Sequence, residues 1–480
     1  MSPSDIQRPR FHFTPQRNWI NDPNGLIWVD GVWHLFFQYN PLGNDWGNMS
    51  WGHAVSPDLV NWRELDVAIR FDAEAAIFSG SVVNDLRNSS GLGSKDAPPL
   101  VAAYTSAYAT GKQAQSLAVS TDAGLTWRKY AGNPVLDRNS SAFRDPKVFR
   151  YGGEAGWWVL VSVEADDEEA HIFTSANLID WTPSDRVAFP DKEQLLWECP
   201  DLFPLRHGGR EVWVLVMSVN EKSRGRGSAT RYLLGDFDGR KFTPLPGAGW
   251  EMLDHGRDFY AAATFNDAPE GRRIIIGWMS NWQYAGAFPS PTWRGSMTLP
   301  RELTLVEREG RLLVAQRVVS EAAKLERAAE RVDLAGADLS AGVELDAGES
   351  YRLSLSLALG ADAKLQIALA AAGQFATLVS YDATLGQLTL DRTCSGPDSI
   401  HPRFPSTSTA QPLASTTELQ LDLYVDTTSV ELFAADGNVA ITDCIAPAPR
   451  PRKVRIRMTE GNATVVAGEL VPIGDAAKPA

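Results

Sequence analysis

Several features are scarce in this chain. Its 480 residues include only three cysteines, too few and too scattered for a disulfide scaffold or a zinc site. No apolar run reaches the roughly 18 residues of a membrane span, and no run of about five like charges marks a tail for a polyanion. Because the net charge is −14, we expect neither nucleic acid nor an anionic membrane as a partner.

Motifs for metal and phosphate chemistry are also missing. The seven histidines are dispersed, and the chain has no glycine-rich phosphate loop, no paired metal-ligand spacing and no nucleophile elbow. We therefore expect no metal and no cofactor. The first ten residues are too polar for a signal peptide, so either the chain is cytosolic or a leader has been removed from it.

Tryptophan, by contrast, is abundant. Many of the 16 tryptophans stand beside Asn, Asp, Gln or Gly, as do Trp19, Trp46 and Trp282. We expect more than half of them to be ordinary core aromatics. The others combine a flat apolar face with a polar edge, and this combination suits a neutral sugar ligand.

A short polar turn that ends in an aromatic residue recurs along the first 300 residues. Its closing aromatics, Trp62, Trp127, Trp181 and Phe242, follow one another at intervals of about 60 residues. The segments between the turns are rich in β-branched and aromatic residues, which favours strands. Roughly 300 residues at this period predict a β-propeller of about five blades.

The pattern changes near residue 319. Residues 319–331 are rich in Ala, Glu, Lys and Arg, and Ser320 is available as an N-cap, which predicts a short connecting helix. Apolar and polar residues alternate beyond it, and Asp436 with Gly437 predicts a hairpin turn. The sequence thus predicts an all-β protein: a propeller over residues 1–318, a linker helix over 319–331 and a β-sandwich over 332–480.

Three acids stand in unusual local sequence. Asp22 lies in a run of Asn, Asp, Pro, Asn and Gly that would also serve as a plain turn. Asp145 follows Arg144, which could pair with it and keep it ionised, although a surface ion pair would look the same. Glu198 lies between Trp197 and Cys199, where burial would raise its pKa.

Together these segments resemble glycoside hydrolase family 32, the invertase, inulinase and levanase family. The likeness rests on residues 19–25, 143–146 and 197–201, with further agreement at residues 78–81 and 277–282 and in the sandwich. It covers essentially the whole chain and leans towards bacterial exo-acting fructan β-fructosidases. The resemblance implies a five-bladed propeller followed by a β-sandwich, which agrees with the repeat count.

The resemblance also implies roles for individual residues. Asp22 matches the family nucleophile, Asp145 the transition-state stabiliser, and Glu198 the general acid and base, a two-carboxylate plan typical of retaining glycosidases. The residues that match the pocket for the terminal fructose are Asn21, Gln38, Trp46, Ser79, Arg144 and Trp282. The implied partner is a fructan such as levan or inulin, or sucrose.

Four functions stay open at this point. The first is hydrolytic release of terminal fructose. The second is a levan fructotransferase that passes the fructosyl group to a sugar hydroxyl and forms a difructose dianhydride. The third, a fructan-binding protein without activity, is less favoured because all three acids are present. The fourth, a sialidase, is disfavoured because this chain has no recognisable arginine-triad motif of that family. Because polymeric fructan cannot cross a membrane, we expect secretion, or a cytoplasmic location if the substrate is a small sugar; the oligomeric state stays open.

Overall fold

A computed structural model describes residues 7–189, 192–221, 225–290, 292–396, 400–411, 417–447 and 452–476. Seven β-sheets account for nearly all of its regular structure, and the helical segments in these ranges are short 3-10 turns. Among the described residues, no helix has the length and apolarity needed to cross a membrane.

Five sheets of four or five strands form the first part of the chain. The first two sheets consist of β1 (Asn18–Val29), β2 (Val32–Tyr39), β3 (Ser50–Ser56) and β4 (Arg63–Ile69), then β5 (Ala75–Asn84), β6 (Leu100–Tyr108), β7 (Gln113–Ser120), β8 (Arg128–Lys129) and β9 (Leu136–Ser140). The third consists of β10 (Phe143–Tyr151), β11 (Trp157–Glu164), β12 (Glu169–Ser175) and β13 (Thr182–Ala188). The fourth consists of β14 (Leu196–His207), β15 (Arg210–Asn220), β16 (Ser228–Phe237), β17 (Phe242–Pro244) and β18 (Glu251–Met252). The fifth consists of β19 (Tyr260–Thr264), β20 (Ile274–Trp278), β22 (Arg301–Arg308) and β23 (Arg311–Val318).

These sheets close into a ring. The first strands β1, β5, β10, β14 and β19 contact one another in that order, and β19 also contacts β1. The short strand β21 (Trp293–Arg294) pairs in parallel with β1 and joins a late segment of the propeller to its first blade. The predicted five-bladed propeller is therefore confirmed.

The repeated turn joins the third and fourth strands of the first four blades. In each of the first three copies an acid or amide side chain accepts a backbone N–H bond within the turn, for example from Asn61 to Asp58 at 2.9 Å and from Asp180 to Asn177 at 2.9 Å. Such side-chain caps stabilise a turn locally. The repeat is visible in the sequence because each copy is a local structure.

The predicted linker helix is wrong. Residues 319–331 form two 3-10 helices, Ser320–Leu325 and Ala328–Glu330, and Val319 rather than Ser320 takes the N-cap position. Between them the chain is extended, because Glu326 forms a bridge with Ile473 and the Arg327 N–H donates to the carbonyl of Pro472 at 2.8 Å. Pairing with the last strand of the sandwich thus replaces the α-helix that local composition favours.

Two six-stranded antiparallel sheets form the second domain. One consists of β24 (Val332–Asp333), β26 (Tyr351–Leu359), β31 (Glu418–Val425), β32 (Ser429–Ala434), β33 (Val439–Cys444) and β35 (Ala463–Pro472). The other consists of β25 (Val343–Asp346), β27 (Lys364–Ala372), β28 (Phe375–Asp382), β29 (Gln387–Asp391), β30 (Thr407–Ala410) and β34 (Lys453–Glu460). Their alternating apolar residues form one core, so the predicted sandwich is confirmed. The predicted hairpin is also present, with a 3-10 turn at Ala435–Gly437 between β32 and β33.

The remaining 3-10 helices of the described residues are Gly153–Ala155, Ala165–Asp167, Pro269–Gly271 and Ala285–Ala287. Buried charges join the two domains. Arg301 of β22 donates to Asp254 at 2.8 Å and to Glu431 of the sandwich at 2.5 Å, and all three side chains are fully buried. His12 lies 2.7 Å from the same Glu431. A buried cation between carboxylates of both domains ties the sandwich to the propeller.

Candidate active site

The first strand of every blade is irregular near its beginning. Each strand loses its regular register with its neighbour over a few residues, at Ile20–Pro23, Ile77–Gly80, Arg144–Lys147, Glu198–Asp201 and Tyr260–Ala263. Such bulges redirect side chains that a regular strand would send to alternate faces. In this propeller they direct side chains from all five blades towards the same end of the axis.

The local sequence explains these bulges. Pro23, Pro146 and Pro200 follow directly on Asp22, Asp145 and Cys199, and proline lacks the N–H that a regular ladder needs. Asp145 and Cys199 have positive φ angles of 61° and 48°, a conformation that bulges accommodate.

The irregularity in β5 of the second blade depends on glycine. A Cβ at Gly80 would lie 2.0 Å from the carbonyl oxygen of Ala103 on the next strand, so only glycine allows this close approach. Ser79 directly precedes Gly80, so the close approach of the two strands at Gly80 also places the Ser79 hydroxyl at the axis. A small cavity of about 20 Å³ at this point is lined by residues of every blade, including Pro23, Ser79, Asp145, Cys199 and Ala261.

Asp22 is held from three sides. Its Oδ2 accepts a hydrogen bond from the Ser79 hydroxyl at 2.6 Å, and its Oδ1 accepts one from the Asn21 amide at 2.9 Å. The Cys199 thiol donates to Oδ2 over 3.4 Å. These donors fix the orientation of the carboxylate and come from three blades, which places Asp22 at the junction of the ring.

Asp145 lies deeper in the same cluster. Its side chain is buried, its Oδ2 accepts the Cys199 backbone N–H at 2.9 Å, and its own N–H donates to Thr105 Oγ1 at 2.9 Å. Burial raises the pKa of Asp145 from its ordinary 3.8 to about 7, and the nearby Glu198 and Asp22 add to the rise.

The predicted pairing of Arg144 with Asp145 is present but loose. Arg144 Nε lies 4.0 Å from Asp145, whereas Nη2 lies 3.2 Å from Glu198. The guanidinium does lower the pKa of Asp145, but burial outweighs it. The bulge after Arg144 turns the two neighbouring side chains apart and directs the guanidinium across the axis to the fourth blade.

Glu198 has two partners. Tyr260 donates its hydroxyl to Oε2 at 2.5 Å, and Arg144 faces Oε1. Burial raises the pKa of Glu198, while Arg144 and the Tyr260 hydrogen bond oppose the rise. The increase agrees in direction with the expectation from Trp197 and Cys199. A carboxyl group with this environment can hold a proton at a higher pH than a solvated glutamate.

The other predicted site residues differ in their surroundings. Trp282 is partly buried and packs against Trp19 and Trp278, with ring centroids 6.0 and 4.8 Å away. Trp46 is 51% exposed and contacts Phe78 edge-on, so it lies at the rim. Gln38 is buried, and its Nε2 has no hydrogen-bond partner among the described residues; no hydrogen bond within those ranges joins it to the three acids.

The sequence analysis missed Tyr260 as a site residue. Its segment is ordinary in composition, and only the alignment of blade repeats would have shown that the fifth first strand begins there. Gln113, whose Oε1 accepts from Arg144 Nη1 at 3.3 Å, and Thr105 lie on neighbouring strands of the second blade and carry no motif of their own. In the part of the chain that the structure describes, no cluster of three or more His, Cys, Asp or Glu side chains suits a metal ion.

Comparison with known proteins decides the family. A model of the glycosyl hydrolases family 32 N-terminal domain matches residues 12–316, and one of the family 32 C-terminal domain matches residues 317–471. The chain belongs to glycoside hydrolase family 32. It is thus a glycosidase, as the resemblance implied.

Individual family 32 proteins are similar over nearly the whole chain. A levanase from Bacillus subtilis (strain 168) is 38% identical over 484 residues, which cover 97% of this chain and 70% of that protein. The crystal structure of exo-inulinase from Aspergillus awamori has a TM-score of 0.92 and 35% identity, with 99% of this chain and 100% of that chain covered. A fructofuranosidase variant from Schwanniomyces occidentalis complexed with fructosylnystose has a TM-score of 0.89 and 28% identity, with 99% of each chain covered. The names of these relatives do not favour the fructotransferase alternative.

Proposed function

We propose that this family 32 glycosidase is an exo-acting β-fructosidase that releases terminal fructose from β-fructans and sucrose through a covalent fructosyl-enzyme. One observation carries the proposal: Asp22, Asp145 and Glu198 come from three blades and meet through shared partners at one end of the propeller axis. The levanase, exo-inulinase and fructofuranosidase relatives support the substrate class.

The environment of each acid suits a different step. Asp22 would attack the anomeric carbon of fructose, because Ser79 and Asn21 hold both of its oxygens in place. Glu198, with its raised pKa, would protonate the departing oxygen. In the second step the same residue would take a proton from the attacking water, and this double displacement retains the anomeric configuration.

Asp145 would bind sugar hydroxyls rather than enter the covalent chemistry. It lies beside both other acids, and its contact with the Cys199 N–H fixes one oxygen. As positive charge develops on the fructosyl ring, its hydroxyls become stronger donors, so their hydrogen bonds to an Asp145 oxygen strengthen. Trp282 and Trp46 would form apolar walls, and the unpaired amide of the buried Gln38 could donate to a substrate hydroxyl.

The acceptor in the second step distinguishes hydrolysis from transfer. Both reactions share the fructosyl-enzyme, so incubation with levan, inulin and sucrose separately identifies the activity from its products. We expect fructose from the first minutes. A dominant difructose product without free fructose, whose share does not fall on dilution, would instead indicate fructosyl transfer. We also propose that the protein acts outside the cell, because polymeric fructan cannot cross a membrane.

The variant Asp22→Asn tests the mechanism. It removes the attacking charge while keeping the shape and one hydrogen-bond acceptor. We expect turnover to fall by several orders of magnitude, as at other covalent residues, with sugar affinity nearly unchanged. The matched control is Asp66→Asn, a substitution of the same kind on β4, outside the cluster. Substantial activity in Asp22→Asn, or inversion at the anomeric carbon by NMR, would contradict the assignment.

A further inference from the structure

The segment that carries Trp282, residues 279–288, is the tryptophan loop. It follows β20 and leads towards β21. Within the propeller, Asn281 donates to the carbonyls of Arg226 and Arg257 at 3.0 and 2.8 Å, and the Trp282 N–H donates to Ser228 Oγ at 3.1 Å. These bonds hold the beginning of the loop, around Trp282.

The following residues of the loop are held by the other domain. Arg392 at the end of β29 is 1% exposed, and its Nη2 donates to the Tyr284 hydroxyl at 2.7 Å. Tyr284 in turn donates to Asp258 Oδ1 at 2.7 Å, and Arg392 Nη1 donates to Asp258 Oδ2 at 2.6 Å. Arg392 also donates to the Cys444 carbonyl at 2.8 Å and to Ser406 Oγ at 2.9 Å. All three nitrogens of this guanidinium therefore have a partner. The network of Arg392, Tyr284 and Asp258 is called the Arg392 tie below.

Aromatic rings pack against the Arg392 tie. The guanidinium of Arg392 lies 4.2 Å from the ring centroid of Phe404 and 5.2 Å from that of Tyr284. Phe404 packs edge-on against Tyr284 and Phe288, at 5.3 and 5.7 Å between centroids. The tie is thus dry, and its hydrogen bonds are stronger there than in water.

Apolar packing also joins the loop to the sandwich. Met279 and Tyr284 of the loop share a buried cluster with Phe404 and Cys444 of the sandwich, and a small cavity of about 30 Å³ lies beside this cluster. Trp278, which backs Trp282, also lines this cavity. The N–H groups of Tyr284 and Ala285 donate to the Asn281 carbonyl at 3.1 and 2.9 Å and close the turn that carries Trp282, so the polar contacts of Tyr284 act directly on this turn.

We propose that Arg392 of the β-sandwich is a positioning residue for substrate binding, which acts through Tyr284 to hold Trp282 against the sugar. The inference rests on the proposed function, in which Trp282 forms a wall of the fructose pocket. The sandwich then contributes to sugar affinity without touching the substrate. Because an apolar wall contacts the sugar in the ground state and in the transition state alike, its displacement raises KM and leaves kcat nearly unchanged.

Tyr284→Phe is the sharpest test. It removes one oxygen, keeps the ring between Phe404 and Phe288, and leaves the ion pair of Arg392 with Asp258. We expect KM for a short fructan to rise about fivefold and kcat to stay within about twofold. Arg392→Lys can keep the ion pair but cannot reach both partners, so we expect the same KM change. Because the two residues are hydrogen-bonded to each other and share Asp258 as a partner, the double variant should show no more than the larger single effect.

The matched control is Arg301→Lys. Arg301 is an equally buried arginine between the domains, and its carboxylate partners Asp254 and Glu431 lie outside the tryptophan loop. We expect a lower Tm and an unchanged KM. If Tyr284→Phe and Arg392→Lys lower Tm without raising KM, or if Arg301→Lys raises KM as much as they do, the positioning role is refuted.

Trp282→Ala separates this inference from the proposed function. A rise in KM with Trp282→Ala but none with Tyr284→Phe would overturn only the role of the tie. An unchanged KM in Trp282→Ala would refute the proposal that Trp282 forms a wall of the fructose pocket, and the inference with it. Parallel rises in Trp282→Ala, Tyr284→Phe and Arg392→Lys, against an unchanged Arg301→Lys, would establish that the sandwich positions the wall.

Discussion

Asp145→Asn should stabilise the protein by an amount that grows with pH. Burial raises the pKa of Asp145 from 3.8 to about 7, so the folded state binds this proton more tightly than the unfolded state does. The contribution of Asp145 to the stability of the wild type is therefore greatest below about pH 4 and falls as the pH rises towards 7, where the buried carboxyl group ionises. The asparagine variant has no such loss.

The size of the effect follows from the two pKa values. Linkage gives a loss in the wild type of roughly 2 kcal/mol at pH 5 and roughly 4 kcal/mol at pH 8. Asparagine suits the site in other respects, because it tolerates the positive φ of 61° at this position. Its Oδ1 can also still accept the Cys199 N–H.

The assay is thermal unfolding of both proteins at pH 5 and pH 8. We expect the Tm of Asp145→Asn to exceed that of the wild type, with the larger difference at pH 8, while activity is lost at both pH values. Asp96→Asn on an exposed turn is the matched control and should change Tm by similar small amounts at both. A difference between Asp145→Asn and wild type that is independent of pH would refute the reasoning.

Three further outcomes are expected. In Tyr260→Phe the pKa of Glu198 should rise further, because the lost hydroxyl stabilises the ionised form. The alkaline limb of the pH–rate profile should therefore move to higher pH. An unmoved limb would show that Tyr260 does not influence the pKa of the catalytic acid. Glu198→Gln should lose that limb altogether, and an unchanged limb in a still active variant would mean that another group is the acid. Arg301→Met leaves Asp254 buried without its cation and Glu431 with His12 alone, so unfolding by urea should show a loss of about 3–5 kcal/mol. A loss below about 1 kcal/mol would show that other contacts carry the domain interface.

Much of the fold could be predicted from the chain because its signals are local. The capped turns near Trp62, Trp127 and Trp181 repeat once per blade, and a turn depends on a few neighbouring residues. The alternation in Tyr351–Leu359 likewise reports one buried face of a sheet. The three acids stood out because each lies in or next to a proline-containing segment that interrupts a strand.

The interactions of the acids could not be predicted in the same way. Sequence proximity pairs Arg144 with Asp145, yet the bulge directs the guanidinium to Glu198 at 3.2 Å. Tyr260 joins the site from a segment without a motif, since its position depends on the closure of five blades. The pKa of Asp145 depends on burial among residues distant in the chain.

The sequence by itself determined the number of blades and the order of the two domains, and it predicted the three acids of the candidate site, because periodicity and motifs are properties of consecutive residues. Only the tertiary structure decided which group faces which acid, how the sandwich reaches the tryptophan loop through Arg392, and why residues 319–331 form two 3-10 turns. The physical reason is the same in each case. Strand register and bulges set the direction of side chains, and partners from other blades or the other domain then outweigh local preference.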